Sequence, residues 1–139
     1  MPKGSCLCGK VTYTLEIDPT TTQQTSACHC RPCRKITGGT TSLNLTVPAT
    51  AFVLNSGALK TVKTQHIDEG FDFTLSFCED CGSPIYAEAQ FLPDKRIIQV
   101  GTLDDEEYLQ RAPTAELNVK HRLHWIKPID DAGQREKYV

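Results

Sequence analysis

The sequence has no apolar run near the roughly 18 residues that a membrane-spanning helix needs. Its opening, Met-Pro-Lys-Gly-Ser-Cys-Leu-Cys-Gly, lacks the apolar stretch of a secretory signal, so the expected setting is the cytoplasm. It also lacks a large charge of one sign. Fifteen Lys and Arg stand against 17 Asp and Glu, a formal net charge of −2, with no basic stripe or tail. That argues against a nucleic-acid or membrane surface, so neither is an expected partner. Internal repeats, long linkers and low-complexity segments are absent as well. A chain of 139 residues, 39% hydrophobic and 23% charged, is most simply one soluble globular domain spanning 1–139.

What the sequence does have is cysteine. Cys6 and Cys8 form one pair, Cys78 and Cys81 another, and Cys28, Cys30 and Cys33 fall within six residues. The count is odd, the spacings are tight, and a Cys6–Cys8 bridge would close a strained ring, so a disulfide framework is a poor explanation. Buried free thiols would not account for the clustering. Seven cysteines without a signal fit a reducing compartment. The two pairs together supply four ligands, which close a tetrahedral zinc site, and the trio supplies three, which leaves a position open. Structural zinc sites have four protein ligands and catalytic ones three. Two zinc ions are therefore expected, a structural one on Cys6, Cys8, Cys78 and Cys81 and a catalytic one on Cys28, Cys30 and Cys33.

The rest of the chain alternates at period two more than it repeats at helical spacing. Cys6 and Cys8, at i and i+2 on an extended segment, face one side while Leu7 faces the other. Val11, Tyr13, Leu15 and Ile17 alternate with polar residues and predict a half-buried strand. A turn is expected at 18–22. A short helix is expected at 34–37, stopped by Gly38-Gly39. Strands are expected at 43–47, 52–54, 59–65, 71–77, 85–89 and 96–100, with turns at 56–57, 66–70 and 92–94. The run Phe71, Phe73, Leu75, Phe77 is the cleanest alternation and leads straight into Cys78. Residues 104–111 predict a short helix with acidic residues in its first turn. Segments 115–119 and 123–126 are ambiguous, and 130 onward reads as a surface tail. The fold class is mainly β, with few helices.

Three thiolates give a zinc site a net charge of about −1, and their donor strength makes a bound water less acidic. Such a centre suits another thiol or a polarised carbonyl. Arg31, Arg34 and Lys35 flank the trio and could balance its charge or clamp a substrate carboxylate, or form an ordinary solvated patch. His29, between two ligands, could carry a proton or serve only as a supporting or surface histidine. The trio could instead recruit His66 or a carboxylate and become a second structural site. His121, His124 and Trp125 either edge a pocket or pack in the core.

Three blocks, Gly4-Ser-Cys6-Leu-Cys8-Gly9-Lys-Val-Thr-Tyr13, then Cys28-His-Cys30-Arg-Pro-Cys33-Arg-Lys, then Phe77-Cys78-Glu-Asp-Cys81-Gly82-Ser-Pro84, resemble the glutathione-dependent formaldehyde-activating enzyme and centromere protein V family. The resemblance implies a β-tent-like fold of short antiparallel sheets with zinc knuckles. It implies a zinc-dependent carbon–sulfur lyase or adduct-forming activity on a glutathione-like thiol and a carbonyl compound. It also implies the division of the cysteines reached above. His29, Arg31 and Arg34 are then the candidate catalytic residues, with the substrates and the oligomeric state, a homodimer among the options, left open. The centromere branch supplies the competing expectation, a non-catalytic zinc module for a protein or nucleic-acid partner.

Overall fold

The alternating segments become strands in the computed structural model, which describes residues 1–18, 20 and 24–138. The elements are β1 (Lys3–Ser5), β2 (Thr12–Leu15), β3 (Ser26–Cys28), α1 (Arg31–Thr37), β4 (Ser42–Pro48), β5 (Phe52–Ser56), β6 (Leu59–Gln65), β7 (Asp72–Cys78), β8 (Pro84–Ala89), β9 (Lys95–Gln99), α2 (Glu106–Gln110), β10 (Ala115–Leu117) and β11 (Gly133–Gln134). The fold is mainly β. Of the turn expected at 18–22, Pro19, Thr21 and Thr22 lie outside the described residues. Within it, the Thr20 N–H donates to Asp18 Oδ1 at 2.9 Å.

Two sheets form. One is three-stranded, in the order β1-β2-β5, and the other runs β11-β10-β3-β4-β9-β8-β7-β6. The expected short antiparallel pairings form, with a parallel edge added to the larger sheet. The second sheet is eight strands wide, and β10 lies parallel to both β3 and β11. The parallel pairs join segments far apart in the chain, so no hairpin signal marks them.

Both sheets bury one face in a common core. Val11, Tyr13 and Leu15 are fully buried, as their alternation demands, and Ile17 is partly buried against them. Tyr13 stacks on Phe52 with ring centroids 5.0 Å apart, and Phe52 meets Tyr86 edge-on at 4.9 Å. Leu45 and Val47 of β4 and Ile98 of β9 join them from the larger sheet. Each such buried side chain contributes about 1.5–3 kcal/mol. The strand period sends Ser42, Asn44 and Thr46 of β4, with Ile97 and Gln99 of β9, to the opposite face. That second face is the floor of a cavity.

Several local expectations shift. Helix α1 starts at Arg31, three residues before 34, because Pro32 needs no N–H partner in a first turn and Cys30 caps it. Gly38, at φ 68°, ends it by donating its N–H to Arg34 O at 2.7 Å. In β7 a register shift between Ser76 and Phe77 breaks the alternation. Ser76 is buried, while Leu75 and Phe77 are only half-buried. Segment 123–126 forms no strand, and Trp125, 73% exposed, is not core packing. Residues from 130 are not merely a surface tail. They supply β11 and then lay Tyr138 over the trio.

Candidate metal centre and its cavity

Two similar turns build the four-cysteine cluster. In the first, the Cys6 N–H donates to Val11 O (3.1 Å) and the Gly9 N–H to Cys6 O (3.1 Å); in the second, the Cys78 N–H donates to Ser83 O (3.0 Å) and the Gly82 N–H to Cys78 O (2.9 Å). Gly9 and Gly82 adopt φ of 79° and 77°, which side-chain-bearing residues resist. Backbone donors also aim at sulfur, Val11 N–H to Cys6 Sγ (3.2 Å) and Cys81 N–H to Cys78 Sγ (3.5 Å). The turns are tied by the Leu7 N–H on Ser83 Oγ at 2.9 Å, with the Leu7 side chain left 87% exposed. All four sulfurs lie within 4.8 Å of one another. Cys6 to Cys8 is 3.5 Å and Cys8 to Cys78 is 3.8 Å. Zinc–sulfur bonds of about 2.3 Å in a tetrahedron set sulfurs about 3.8 Å apart. The donor set therefore fits a zinc ion. The Ser83 hydroxyl beside Cys81 helps bring that thiol down to about 5, toward the thiolate that metal binding requires.

The trio is built differently. Cys28 closes β3, Cys30 caps α1 and accepts the Cys33 N–H at 3.4 Å, and Cys33 sits in the helix's first turn. Their sulfurs also lie within 4.8 Å of one another, and among the described residues no histidine or carboxylate joins them. Cys30 and Cys33, at 3.0 Å, stand closer than the tetrahedral spacing. The neighbouring Cys28 and Cys33 side chains, and then the hydrogen bond from the Tyr138 hydroxyl at 3.5 Å, hold Cys30 far below the ordinary thiol range. The Cys30 side chain pushes Cys28 up to about 11, and the Cys28 and Cys30 side chains push Cys33 well above its usual value. Asn118, fully buried in a left-handed conformation (φ 53°), donates Nδ2 to Cys28 Sγ at 3.3 Å. Three soft donors with such support fit a thiophilic divalent ion.

His29 points away from the trio, as expected of an extended segment, and is buried rather than on the surface. Its Nε2–H donates to Glu116 Oε1 at 2.8 Å. Glu116 Oε2 accepts from Gln134 Nε2 (2.7 Å), the Ile129 N–H (2.9 Å) and Arg122 Nη2 (3.1 Å). Burial would raise this carboxyl, but these donors bring it down to about 2. Arg31 grips Asp68 with Nε on Oδ2 (3.2 Å) and Nη2 on Oδ1. Neither Arg31, Arg34 nor Lys35 lines the cavity. His66, considered above as a fourth ligand, stays outside the cluster.

The cavity has a volume of about 570 Å³, and all three sulfur-bearing residues of the trio stand in its wall. Phe71, Phe73, Phe91 and Tyr138 supply aromatic surface, and Arg135 is the cation of the wall. Arg135, Tyr138, Asn118 and Glu116 escaped the sequence reading. The local signal was two polar residues, Glu116 and Asn118, alternating with apolar ones in the short segment 115–119.

The architecture is that of a mainly β protein with one closed thiol cluster and one opening on a cavity. Residues 1–121 match the family model of the glutathione-dependent formaldehyde-activating enzyme, so the chain belongs to that family. A crystal structure of a Rhodobacter sphaeroides protein, a structural-genomics target, is similar in fold. It is 21% identical, with a TM-score of 0.58, over 80% of this chain and 97% of that one. No curated protein sequence matches. Arg135 and Tyr138 lie beyond the family-matched residues. Among the described residues, no helix is long and apolar enough to cross a membrane.

Proposed function

We propose that the protein is a zinc-dependent carbon–sulfur lyase or adduct-forming enzyme, acting on a small glutathione-like thiol and a carbonyl compound. The observation that carries this is the contrast between the clusters: four thiols close one, while three stand in the wall of a cavity. A zinc ion held by Cys28, Cys30 and Cys33 supplies a Lewis acid that favours the thiolate form of the substrate. Asn118 fixes Cys28 from behind, and the His29–Glu116 pair fixes the backbone between Cys28 and Cys30. The apolar rings of the wall keep water from the reacting carbon. In adduct formation the substrate sulfur bonds to the carbonyl carbon, the carbonyl π pair moves onto oxygen, and oxygen takes the proton that the thiol gave up. Lysis is the reverse.

The carboxylate clamp considered for Arg31, Arg34 or Lys35 passes to Arg135, because Arg31 is committed to Asp68 and, among the described residues, Arg135 is the one Arg or Lys in the wall. His29 and Arg31 act as positioning residues, the latter by holding the 66–70 turn against α1. The seven free cysteines suit the reducing cytoplasm. The test is the visible absorption of cobalt-substituted protein. Glutathione should alter the bands of the wild type and leave those of Cys30→Ser unchanged. Bands indifferent to glutathione and to other small thiols would overturn the reading.

A further inference from the structure

His66 is held in one tautomer. The ring is buried, and its Nδ1 accepts from the backbone N–H groups of Asp68 and Glu69, each at 3.1 Å. In a neutral imidazole, an accepting nitrogen places the proton on the other. Nε2–H is therefore a donor, and it has no hydrogen-bond partner among the described residues. An orphaned buried donor is costly and rare enough to need an explanation. Its place supplies one, since His66 lines the cavity onto which Cys28, Cys30 and Cys33 open. The same tautomer explains why His66 is no fourth metal ligand. Ligation through Nε2 would move the ring proton to Nδ1, against two N–H donors.

The surroundings of the donor are aromatic. Ring centroids of Phe71, Tyr138 and Phe73 lie 4.9, 6.0 and 6.5 Å from that of His66. Phe91 continues the wall, 4.8 Å from Phe71 and 5.1 Å from Tyr138. A one-carbon carbonyl would fill little of about 570 Å³ and leave most of this aromatic wall uncovered. Such rings favour another ring offset or edge-on. Tyr138 belongs to the segment beyond the family-matched residues.

We propose that His66 is the oxygen-binding residue of the cavity, and that the carbonyl substrate carries an aryl substituent packed on Phe71, Phe91 and Tyr138. The inference rests on the cavity being the substrate site of the chemistry proposed above, but its test needs no thiol. Zinc-loaded full-length protein is titrated with acetophenone, with ethylbenzene as the same shape lacking oxygen, and with acetone as the carbonyl lacking the ring. Acetophenone should bind about threefold to tenfold more tightly than ethylbenzene, and far more tightly than acetone. In nitrogen-edited NMR spectra it should shift the His66 Nε2–H resonance downfield.

In His66→Asn the amide oxygen can still accept the 68–69 N–H groups while no donor reaches the place of Nε2. Acetophenone should there bind no better than ethylbenzene. Equal binding of acetophenone and ethylbenzene by the wild type overturns the proposal. So does equal binding of acetone, an unmoved Nε2–H resonance, or a folded His66→Asn that keeps the preference. The resonance is read on the wild type and decides even if the variant fails to fold. Protein that passes these tests while its cobalt spectrum ignores thiols retains the carbonyl site and loses the thiol chemistry. A thiol-responsive spectrum with no aryl-carbonyl preference does the opposite.

Discussion

Replacing Glu116 by Gln probes the support behind the trio. The carboxylate is 1% exposed and takes four hydrogen bonds, from His29, Arg122, Gln134 and the Ile129 backbone. An amide keeps the shape, loses the charge, and turns an N–H₂ toward one of those donors. Breaking a buried ionic network in this way costs about 3–5 kcal/mol. The carboxyl itself gives a similar figure. A fall from 4.5 to about 2 corresponds to about 3 kcal/mol at neutral pH, at about 1.4 kcal/mol per tenfold change. Because the folded value is depressed, this stability is present above about pH 4.5 and is lost as pH falls through about 2. The assay is urea denaturation of metal-loaded wild type and Glu116→Gln at several pH values. With a slope of about 1–3 kcal/mol per molar urea, a loss of about 3 kcal/mol should drop the midpoint at pH 7 by about 1–3 M. The gap between the two proteins should close between pH 4.5 and pH 2, and metal loss common to both cancels in that difference. A pH 7 gap below about 0.3 M, or one that persists unchanged at pH 2.5, would refute the reasoning.

Asn118→Ala removes the donor on Cys28 and puts a less suitable residue at positive φ, so zinc affinity at the trio should fall about 10- to 100-fold in chelator competition. Tyr138→Phe removes the hydroxyl that helps hold Cys30 low; the alkylation rate of Cys30 in metal-free protein should then titrate at higher pH than in the wild type. Cys78→Ser removes the fully buried thiol of the four-thiol cluster, and both one zinc per chain and more than about 10 °C of thermal midpoint should be lost, read by elemental analysis and calorimetry.

The sequence alone determined what depends on neighbours in the chain. The cysteine spacings place two sulfurs of each pair on one side of a tight turn, and the alternation at 11–15 buries Val11, Tyr13 and Leu15 because a strand turns over every residue. The division of seven cysteines into four and three was legible for the same reason, as was the helix stop at Gly38. Only the tertiary structure decided what reaches the trio from far away. Asn118 meets Cys28 across 90 residues, Glu116 meets His29 across 87, and Tyr138 meets Cys30 across 108. These contacts follow from β10 lying parallel to β3 and β11 lying parallel to β10, pairings that no hairpin brings about. The same pairings turn Arg135 toward the cavity and leave Arg31 to Asp68. Charge next to a ligand in sequence was a poor guide because a helix start directs successive side chains around its axis, and only the packed sheet fixes which of them face the sulfurs.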